Sequence, residues 1–260
     1  MTEDRPRDFV QSLAKGLEVI ASFTAERRRQ TLSEVARNAG MTRASARRFL
    51  LTLTELGYVE RDGDRFSLRP TVLQIGRSYL SMLTMPDIAE PHMRALASAI
   101  GEDVGLVVLD ELDGVVVVES EPGRSADNFV RVGERIPALA SASGRVLLAQ
   151  LPEDELAERT RGQRVPQLTP RTQRDLDAVL EDVRIARRTG YAIVDDEFRR
   201  GVQSLALPVY AGINQHPAAL SVSVRSRRIS REELIDQILP QLQHTAHRIE
   251  ADYTRTLTSR

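Results

Sequence analysis

Closely spaced arginines in the first quarter of the chain are the side chains best suited to bind a polyanion. A guanidinium can donate two parallel hydrogen bonds to a phosphate or to the edge of a guanine base. Small residues between the arginines would let a helix backbone approach a nucleic-acid groove closely, so the segment predicts contact with DNA. The candidate DNA-contacting residues here are Thr42, Arg43, Ala44, Ser45, Arg47 and Arg48.

A second group of reactive side chains, all of them acidic, lies at Asp195-Asp196-Glu197. Carboxylates so close together could bind a metal ion or hold a general base. They also precede Arg199 and Arg200, so a charge-balanced loop explains the same pattern. The residue types alone leave these alternatives open.

Other arrangements for catalysis are weak. Residues 140–144, Ala-Ser-Ala-Ser-Gly, approach a nucleophile elbow, but alanine occupies the place of the first glycine. His244 and His247 are spaced for one helical face, which favours solvated histidines over metal ligands. No P-loop, dinucleotide-binding glycine pattern or zincin motif occurs, so we expect no catalytic residue, metal ion or cofactor. A small-molecule-binding enzyme with an accessory DNA-binding domain is the alternative function.

Helical spacing organises the chain on the N-terminal side of these arginines. Apolar residues in Asp8–Phe23 recur at intervals of three and four residues and predict a first helix. A second, short helix opens at Thr31 or Ser33 and stops at Gly40. This helix precedes the arginine segment by only two residues.

The third helix runs from a Thr42 cap to Gly57 and buries a stripe centred on Ala46. At about 100° per residue, Ala44 and Arg48 point away from that stripe. Two short helices joined by a tight glycine turn form a helix-turn-helix, whose second helix is expected to enter a major groove. A plain three-helix core with a solvated arginine face is the alternative.

The segment Tyr58–Leu68 predicts a β-hairpin that turns at Asp62-Gly63 or Gly63-Asp64. Arg61 and Arg65 flank its tip, where they could meet phosphates or the minor groove. A hairpin in this place would complete a winged helix-turn-helix.

Length and charge support a separate N-terminal domain. A chain of 260 residues suggests two domains. The formal net charge is −1, but residues 1–77 contain fourteen basic and ten acidic side chains and carry +4, against −5 for the rest. The cationic part therefore coincides with the predicted helix-turn-helix.

Composition excludes several classes of protein. The chain has no cysteine, which excludes disulfide scaffolds, thiolate metal sites and cysteine nucleophiles. Hydrophobic residues at 41% and charged residues at 28% fit a globular protein. With no leader and no apolar run of membrane-spanning length, we expect a cytoplasmic protein.

An apolar segment, residues 70–85, separates the two predicted domains. It opens at Pro70, and its apolar residues lie on overlapping helical stripes that end before Pro86. Such a helix is too apolar for a free linker, so it packs within its own chain or against a second chain. We favour a dimer, which would hold two recognition helices about 34–36 Å apart on a near-palindromic operator.

From Asp87 onward, short strands mix with helices. The predicted strands are 105–109, 115–119, 129–132, 192–194, 204–209 and 219–224, and the predicted helices are 87–100, 141–150, 153–160, 172–189 and 232–253. Antiparallel strands with helices gathered around them predict an α+β domain.

Six stretches spread along the chain form longer motifs. They are Phe9-Val10-Gln11-Ser12-Leu13-Ala14-Lys15-Gly16-Leu17, Leu32-Ser33-Glu34-Val35-Ala36, residues 42–53, Leu56-Gly57-Tyr58-Val59, residues 143–149 and residues 201–209. Together they resemble the IclR family of bacterial transcription regulators. The first and third are most similar to the Pca/Pob group, which regulates aromatic-acid breakdown through the β-ketoadipate pathway.

The resemblance implies a domain layout and a function. Residues 1–69 would form a winged helix-turn-helix DNA-binding domain, 70–85 a linker helix and 86–260 a GAF-like effector-binding domain. The implied function is a ligand-responsive transcription regulator of aromatic-acid catabolism. The implied partners are a double-stranded DNA operator, a small organic acid such as protocatechuate or a β-ketoadipate-pathway intermediate, and further copies of the chain in a dimer or dimer of dimers.

The resemblance also implies where the effector binds. The corresponding positions are Ala142, Ser143, Asp195, Ser204, Ser221 and Ser223. Exposed N–H groups at a helix start favour a carboxylate, and serine hydroxyls can donate to it. Asp195 would repel that carboxylate unless it is protonated, paired with Arg145, Arg199 or Arg200, or used for a ligand hydroxyl. Ser221 and Ser223 alternate with valines, so both hydroxyls should face one side of a strand.

Overall fold

The computed structural model describes residues 9–75, 84–121, 131–210, 217–225 and 228–258. The chain divides into two compact units, Met1–Ser81 and Met82–Arg260, and this division falls within the predicted linker segment. Each unit has its own hydrophobic core.

The first unit contains three helices and a small antiparallel sheet. Its elements are α1 (Gln11–Ala21), β1 (Gln30–Thr31), α2 (Leu32–Asn38), α3 (Arg43–Glu55), β2 (Val59–Asp62) and β3 (Arg65–Leu68). The predicted helices and hairpin are confirmed, although α1 is shorter than predicted at both ends. Val19, Val35, Leu50 and Phe66 meet in one core, so the helices and the hairpin hold each other in place.

Side-chain caps determine where α2 and α3 begin. Thr31 Oγ1 accepts from Glu34 N at 3.4 Å, and Thr31 N donates to the Glu34 carboxylate at 2.7 Å, which forms a capping box. These bonds hold the pKa of the Glu34 carboxyl below its ordinary value. Thr42 Oγ1 caps α3 by accepting from Ser45 N at 3.2 Å. Between the two helices, Gly40 has a φ of +60°, which glycine adopts without strain.

The hairpin is tied to the strand that precedes α2. The sheet order is β1-β3-β2, and all pairs are antiparallel. Gly63 has a φ of +61° at the turn. Arg29 Nη2 lies 2.6 Å from Asp62 Oδ2, but both side chains are exposed, so this ion pair adds little to the strand hydrogen bonds that orient the hairpin.

The segment after the hairpin starts with a turn. Pro70–Val72 forms a 3₁₀ turn, and residues 73–75 are helical. Residues 76–83, half of the predicted linker helix, lie outside the described residues. The dimer expected from this segment stays a prediction.

The second unit is an α+β domain. Its elements are α4 (Thr84–Ile100), β4 (Asp103–Asp110), β5 (Asp113–Ser120), β6 (Arg135–Pro137), α5 (Ala142–Leu148), α6 (Glu153–Thr160), α7 (Leu176–Thr189), β7 (Ala192–Asp195), β8 (Val202–Val209), β9 (Ala218–Arg225) and α8 (Leu239–Thr258).

Six strands within the described part of this unit form an antiparallel sheet in the order β6-β5-β4-β9-β8-β7. One face carries large side chains such as Leu205 and Leu220, which pack with α4 and α8. The opposite face carries small ones such as Ala206, Ala219 and Ser221, and α5 and α7 cover it. Because both faces are covered, the strands are nearly continuous apolar runs.

The prediction of a strand at Phe129–Val132 is wrong for the part of it that the structure describes. Residues 129 and 130 lie outside the described part of the chain, Val132 lies in a turn, and the strand is formed instead by Arg135–Pro137. Gly133, the next residue, has a φ of +84°, which is outside the range of strand backbone. Extended pairing with β5 therefore starts only beyond this glycine.

Several helix boundaries also differ from the predictions. The helix predicted from Asp87 begins at Thr84, so helix continues through Pro86, where the linker helix was predicted to have ended. The helix predicted from Thr172 begins at Leu176, because Asp175 caps it by accepting from Asp177 N at 3.1 Å. The helix predicted over 232–253 begins as a short turn at Arg231–Glu233. It passes through a π-helical segment, Leu234–Ile238, before α8.

The start of α5 lies directly against the 3₁₀ turn Ala138–Ala140. Ser141 Oγ caps α5 by accepting from Gly144 N at 3.2 Å. A Cβ atom on Gly144 would lie 2.1 Å from Ala138 Cα and 2.3 Å from Ala138 O. Glycine therefore permits the close approach that places α5 over the sheet.

Replacing Gly144 with alanine should destabilise the second unit by about 3 kcal/mol, because the added methyl meets backbone that no rotamer change can move. Gly16→Ala is the matched control. Its Cβ would lie 4.0 Å from Phe49 Cδ1, so alanine in α1 should stabilise by roughly 0.5–1 kcal/mol. Denaturant titration followed by circular dichroism measures both. A Gly144→Ala variant as stable as the unmodified chain would contradict the close approach.

Candidate functional site

The start of α3 presents a cationic face to solvent. Of the six candidate residues between 42 and 48, five are exposed and Ser45 is half-buried. Their neighbours Ala46 and Leu50 are fully buried in the core. The face predicted to point outward therefore does so. Exposed guanidinium groups in the first turns of the second helix of a helix-turn-helix are placed to enter a major groove.

The two arginines of the hairpin lie on opposite faces of it. Arg61 pairs across the strands with Phe66, and Arg65 pairs with Asp62. Directly paired residues share a face. The Arg61 guanidinium lies 5.9 Å from the centre of the Phe66 ring, and Arg65 Nη1 donates to Arg29 O at 3.4 Å. Each face of the hairpin therefore carries one of these two arginines.

A cavity opens in the second unit beside α5. Its empty volume, including the part open to solvent, is about 450 Å³. Its polar lining residues are Ser141, Ser143, Arg199, Ser204, Ser221 and Ser223. The apolar lining residues are Val107, Ile136, Ala142, Val194, Phe198 and Val202.

Three serines on β8 and β9 form one polar wall of the cavity. Ser204 and Ser223 are paired in register, and their hydroxyl oxygens are 3.2 Å apart. Ser221 Oγ donates to Gly105 O at 3.3 Å. Because each hydroxyl has one hydrogen, the Ser221 hydrogen is used by the backbone and one of the other two is used within the pair. One hydroxyl hydrogen of this wall is left to donate to a ligand.

A buried arginine joins α5 to the loop between β7 and β8. Arg145 is 2% exposed. Its Nη1 and Nη2 donate to the two carboxylate oxygens of Glu197 at 3.0 and 2.7 Å. Nη1 also donates to Asp182 Oδ2 at 3.1 Å, and Nε donates to Leu139 O at 3.1 Å. These charge-assisted hydrogen bonds hold α5, α7 and the loop together.

The same loop is fixed by its own backbone. Asp196 has a φ of +59°, a left-handed conformation that aspartate tolerates better than most residues. Thr172 Oγ1 donates to Glu197 O at 2.7 Å. The two residues that follow Glu197 in the loop, Phe198 and Arg199, line the cavity. The hydrogen bonds to Glu197 therefore fix the backbone from which the Phe198 and Arg199 side chains extend.

Two family models together match most of the chain. The IclR helix-turn-helix domain matches residues 12–63, and the bacterial transcriptional regulator IclR C-terminal domain matches residues 77–251. This chain belongs to the IclR family. The resemblance drawn from the sequence motifs is confirmed, as is the fold of a winged helix-turn-helix followed by an α+β domain.

Relatives of this IclR-family chain match it over most of its length. The Pca operon regulatory protein of Acinetobacter baylyi is 33% identical over 249 residues, which are 94% of this chain and 90% of that protein. A crystal structure from Rhodococcus sp. RHA1 is 40% identical with a TM-score of 0.83, and the match covers 95% of this chain and 100% of that one. The similarity to Pca/Pob regulators is confirmed.

A solved domain with a ligand is also similar. It is a double mutant of the inducer-binding domain of the PobR transcription factor from Acinetobacter, in complex with 3-hydroxybenzoic acid. This domain is 30% identical with a TM-score of 0.58, and the match covers 64% of this chain and 97% of that chain.

Five of the six predicted effector residues line the cavity beside α5. They are Ala142, Ser143, Ser204, Ser221 and Ser223. Asp195 is not among the lining residues, and strand alternation explains why. Val194 pairs with Ser204 on the cavity face, so Asp195, which pairs with Gln203, faces the other side. Its Oδ2 lies 3.8 Å from Arg171 Nη1, whereas Arg145 binds Glu197 instead.

The serines of β9 have the predicted orientation. Ser221 and Ser223 line the cavity, whereas Val222 and Val224 belong to the core on the opposite face of the sheet. Phe198 and Arg199 were missed as lining residues. A loop has no periodicity, so the sequence signals only that an arginine follows the acidic cluster, not where its side chain lies.

A carboxyl group lies on the cavity face of the sheet, two strands from Ser221. Glu119 pairs with Gly105, which pairs with Ser221, so all three share a face. Burial, and to a smaller extent the charge of Glu121, raises the pKa of the Glu119 carboxyl. Among the described residues, its Oε2 atom has no hydrogen-bond partner. This end of the sheet face disfavours an anion, whereas the end beside Arg199 favours one.

The groups considered for catalysis have other contacts. Ser141 Oγ caps α5, and the acidic cluster at 195–197 faces Arg171 and Arg145. Within the described ranges, no three His, Asp or Glu side chains are grouped to hold a metal ion. Of the helices in those ranges, none is long and apolar enough to cross a membrane.

Replacing Glu197 with alanine should destabilise the second unit by about 3–5 kcal/mol, because it leaves a buried guanidinium without its bidentate partner. Asp182→Ala is the matched control on the same guanidinium. The Asp182 side chain is 49% exposed and that of Glu197 is 13% exposed, so the control should lose about 1 kcal/mol or less. Denaturant titration measures both variants. Equal losses would contradict the dominant role of Glu197.

Proposed function

We propose that this IclR-family chain is a transcription regulator that binds DNA through α3 and the hairpin and senses a hydroxylated aromatic acid in the cavity. One observation carries the proposal. A helix-turn-helix with an exposed arginine face shares the chain with a cavity that has apolar walls and a small polar wall. The first is suited to a polyanion and the second to a small ligand.

Charge and shape support DNA as the partner of the first unit. Arg43, Arg47 and Arg48 are exposed at the start of α3, and the exposed Ala44 between them leaves room for a groove wall. Residues 1–77 carry a net charge of +4. Cations of this kind bind phosphates regardless of base sequence, and those that reach base edges add sequence preference.

The cavity lining supports an aromatic acid as the effector. Val107, Ile136 and Val194 offer apolar surface for a ring, and the serine wall offers one hydroxyl hydrogen and several acceptor lone pairs. The similar PobR domain was solved with 3-hydroxybenzoic acid. We therefore propose a hydroxybenzoate or a related acid of the β-ketoadipate pathway.

The effector would act on DNA binding by linkage. A ligand shifts the balance between two arrangements of a protein only by its difference in affinity for them. In this proposal two chains associate through the segment 70–85, as a dimer or a dimer of dimers, so that two copies of α3 reach half-sites about 34–36 Å apart. The regulator would act in the cytoplasm, where its DNA is.

Replacing Arg47 with alanine should weaken operator binding by roughly 1–3 kcal/mol and relax the preference at one base pair, if Arg47 reads a base. Arg164→Ala, which removes the same charge from an exposed site in the second unit, should leave DNA affinity unchanged. Fluorescence anisotropy on an operator selected from genomic fragments measures both. Equal effects of the two substitutions would remove α3 from the interface.

The double substitution Ser204→Ala and Ser223→Ala should weaken binding of 3-hydroxybenzoate by roughly 1.5–3 kcal/mol, because it removes the available hydroxyl donor. Either single substitution should cost less, since the remaining serine keeps its hydrogen. Ser221→Ala is the control and should change the affinity little, because the Ser221 hydroxyl hydrogen is already donated to Gly105 O.

Calorimetric titration of the full chain measures these affinities. Normal affinity in the double variant would place the ligand away from the serine wall. The ligand recovered after the titration should be chemically unchanged, whereas sustained product formation would favour the enzyme alternative.

A further inference from the structure

Arg199 is the one charged side chain among the cavity-lining residues that the structure describes. Its Nη2 donates to Glu134 Oε1 at 2.8 Å. Its guanidinium carbon lies 5.3 Å from the centre of the Phe198 ring, a distance typical of a cation–π contact. An ion pair on one side and an aromatic ring on the other thus hold this guanidinium beside the cavity.

We propose that Arg199 anchors the carboxylate of the effector, and that this carboxylate exchanges with Glu134 as the partner of the guanidinium. The inference rests on the proposed function, in which an aromatic acid occupies the cavity. It adds the residue that recognises the acid group, and it restricts the ligand class to anions.

Hydrogen-bond capacity argues for a cation at this place. A carboxylate has about four lone-pair sites. The serine wall has one hydroxyl hydrogen left to donate, and the other uncharged donors beside the cavity come from Ser143 and the start of α5. Burying a carboxylate among neutral groups is costly unless a positive charge lies beside it. Arg145 cannot serve, because Glu197 and Asp182 already bind its guanidinium. The opposite end of the sheet face carries Glu119 and would repel the charge.

The pair between Arg199 and Glu134 is suited to exchange. The two side chains are 39% and 29% exposed, and ion pairs so accessible to water contribute little to stability. A ligand carboxylate can therefore replace Glu134 at small cost. Glu134 also accepts from Arg131 N at 3.0 Å, so its release would reach the turn that precedes β6.

The position of Arg199 is determined by the buried pair next to it. Glu197 is held by both terminal nitrogens of Arg145, and one residue, Phe198, separates that anchor from Arg199. Arg200, the next residue, is exposed and does not line the cavity. The two arginines have the same charge in the same loop and differ in where they point, which makes Arg200 a matched control.

The test compares an anionic ligand with a neutral one of the same shape. 3-Hydroxybenzoate and 3-hydroxybenzamide are titrated by calorimetry into the full chain and into Arg199→Gln, Arg200→Gln and Glu134→Gln. Arg199→Gln should weaken the benzoate roughly 10- to 100-fold, the range for one charged hydrogen bond, and change the benzamide little. Arg200→Gln should change neither. Glu134→Gln should bind the benzoate as tightly as the unmodified chain or more tightly, because the Glu134 carboxylate no longer competes.

Other results would overturn the assignment. Unchanged benzoate affinity in Arg199→Gln, with normal binding to the unmodified chain, removes Arg199 as the anchor and leaves the proposed function in place. Equal losses for both probes show that Arg199 supports the fold of the cavity rather than the charge. Weaker benzoate binding in Glu134→Gln rejects the exchange. If neither probe binds the unmodified chain, the aromatic-acid effector is rejected, and the anchor with it.

Discussion

The buried guanidinium of Arg145 is the group on which the geometry of the cavity depends. It lies within α5 and binds Leu139, Asp182 and Glu197, which come from three separate parts of the chain. A charge removed from water is tolerated only when its hydrogen bonds are satisfied. The loop after β7 therefore cannot move away from α5 without exposing or orphaning that charge, and the cavity wall is as rigid as this network.

Both units separate the residues that reach a partner from the residues that hold them. In the second unit, Gly144 and Arg145 place the helix and the loop, and neither lines the cavity. In the first unit, the turn at Gly40 and the cap at Thr42 place the arginine face of α3, while the pairing of β1 with β3 orients the hairpin. In each case a local contact with little freedom orients longer side chains that must reach outward.

Periodic features could be predicted from the sequence, and long-range contacts could not. The stripes of α1 to α3, the caps and the alternation of Ser221 and Ser223 all follow from local spacing. The strand predicted at Phe129–Val132 had the alternation typical of a strand, but Val132 and Gly133 form a turn, and the described strand begins at Arg135. The pairing of Arg145 with Glu197 joins residues 52 apart in sequence, and the outward turn of Asp195 depends on the register of β7 with β8. Neither follows from residue types.

The cavity exists because one face of the sheet carries small side chains where the other carries leucines. Ala206 and Ala219 lie on the cavity face. Their neighbours along the strands, Leu205, Leu207 and Leu220, lie on the other face. The size of the cavity therefore depends on the side chains of β8 and β9 and not on the course of the backbone. A lineage could come to recognise a smaller or larger acid by adding or removing methyl groups on this face. Such changes leave the strand register, the position of α5 and the DNA-facing helix α3 unchanged. Ligand specificity can therefore diverge while the fold stays the same.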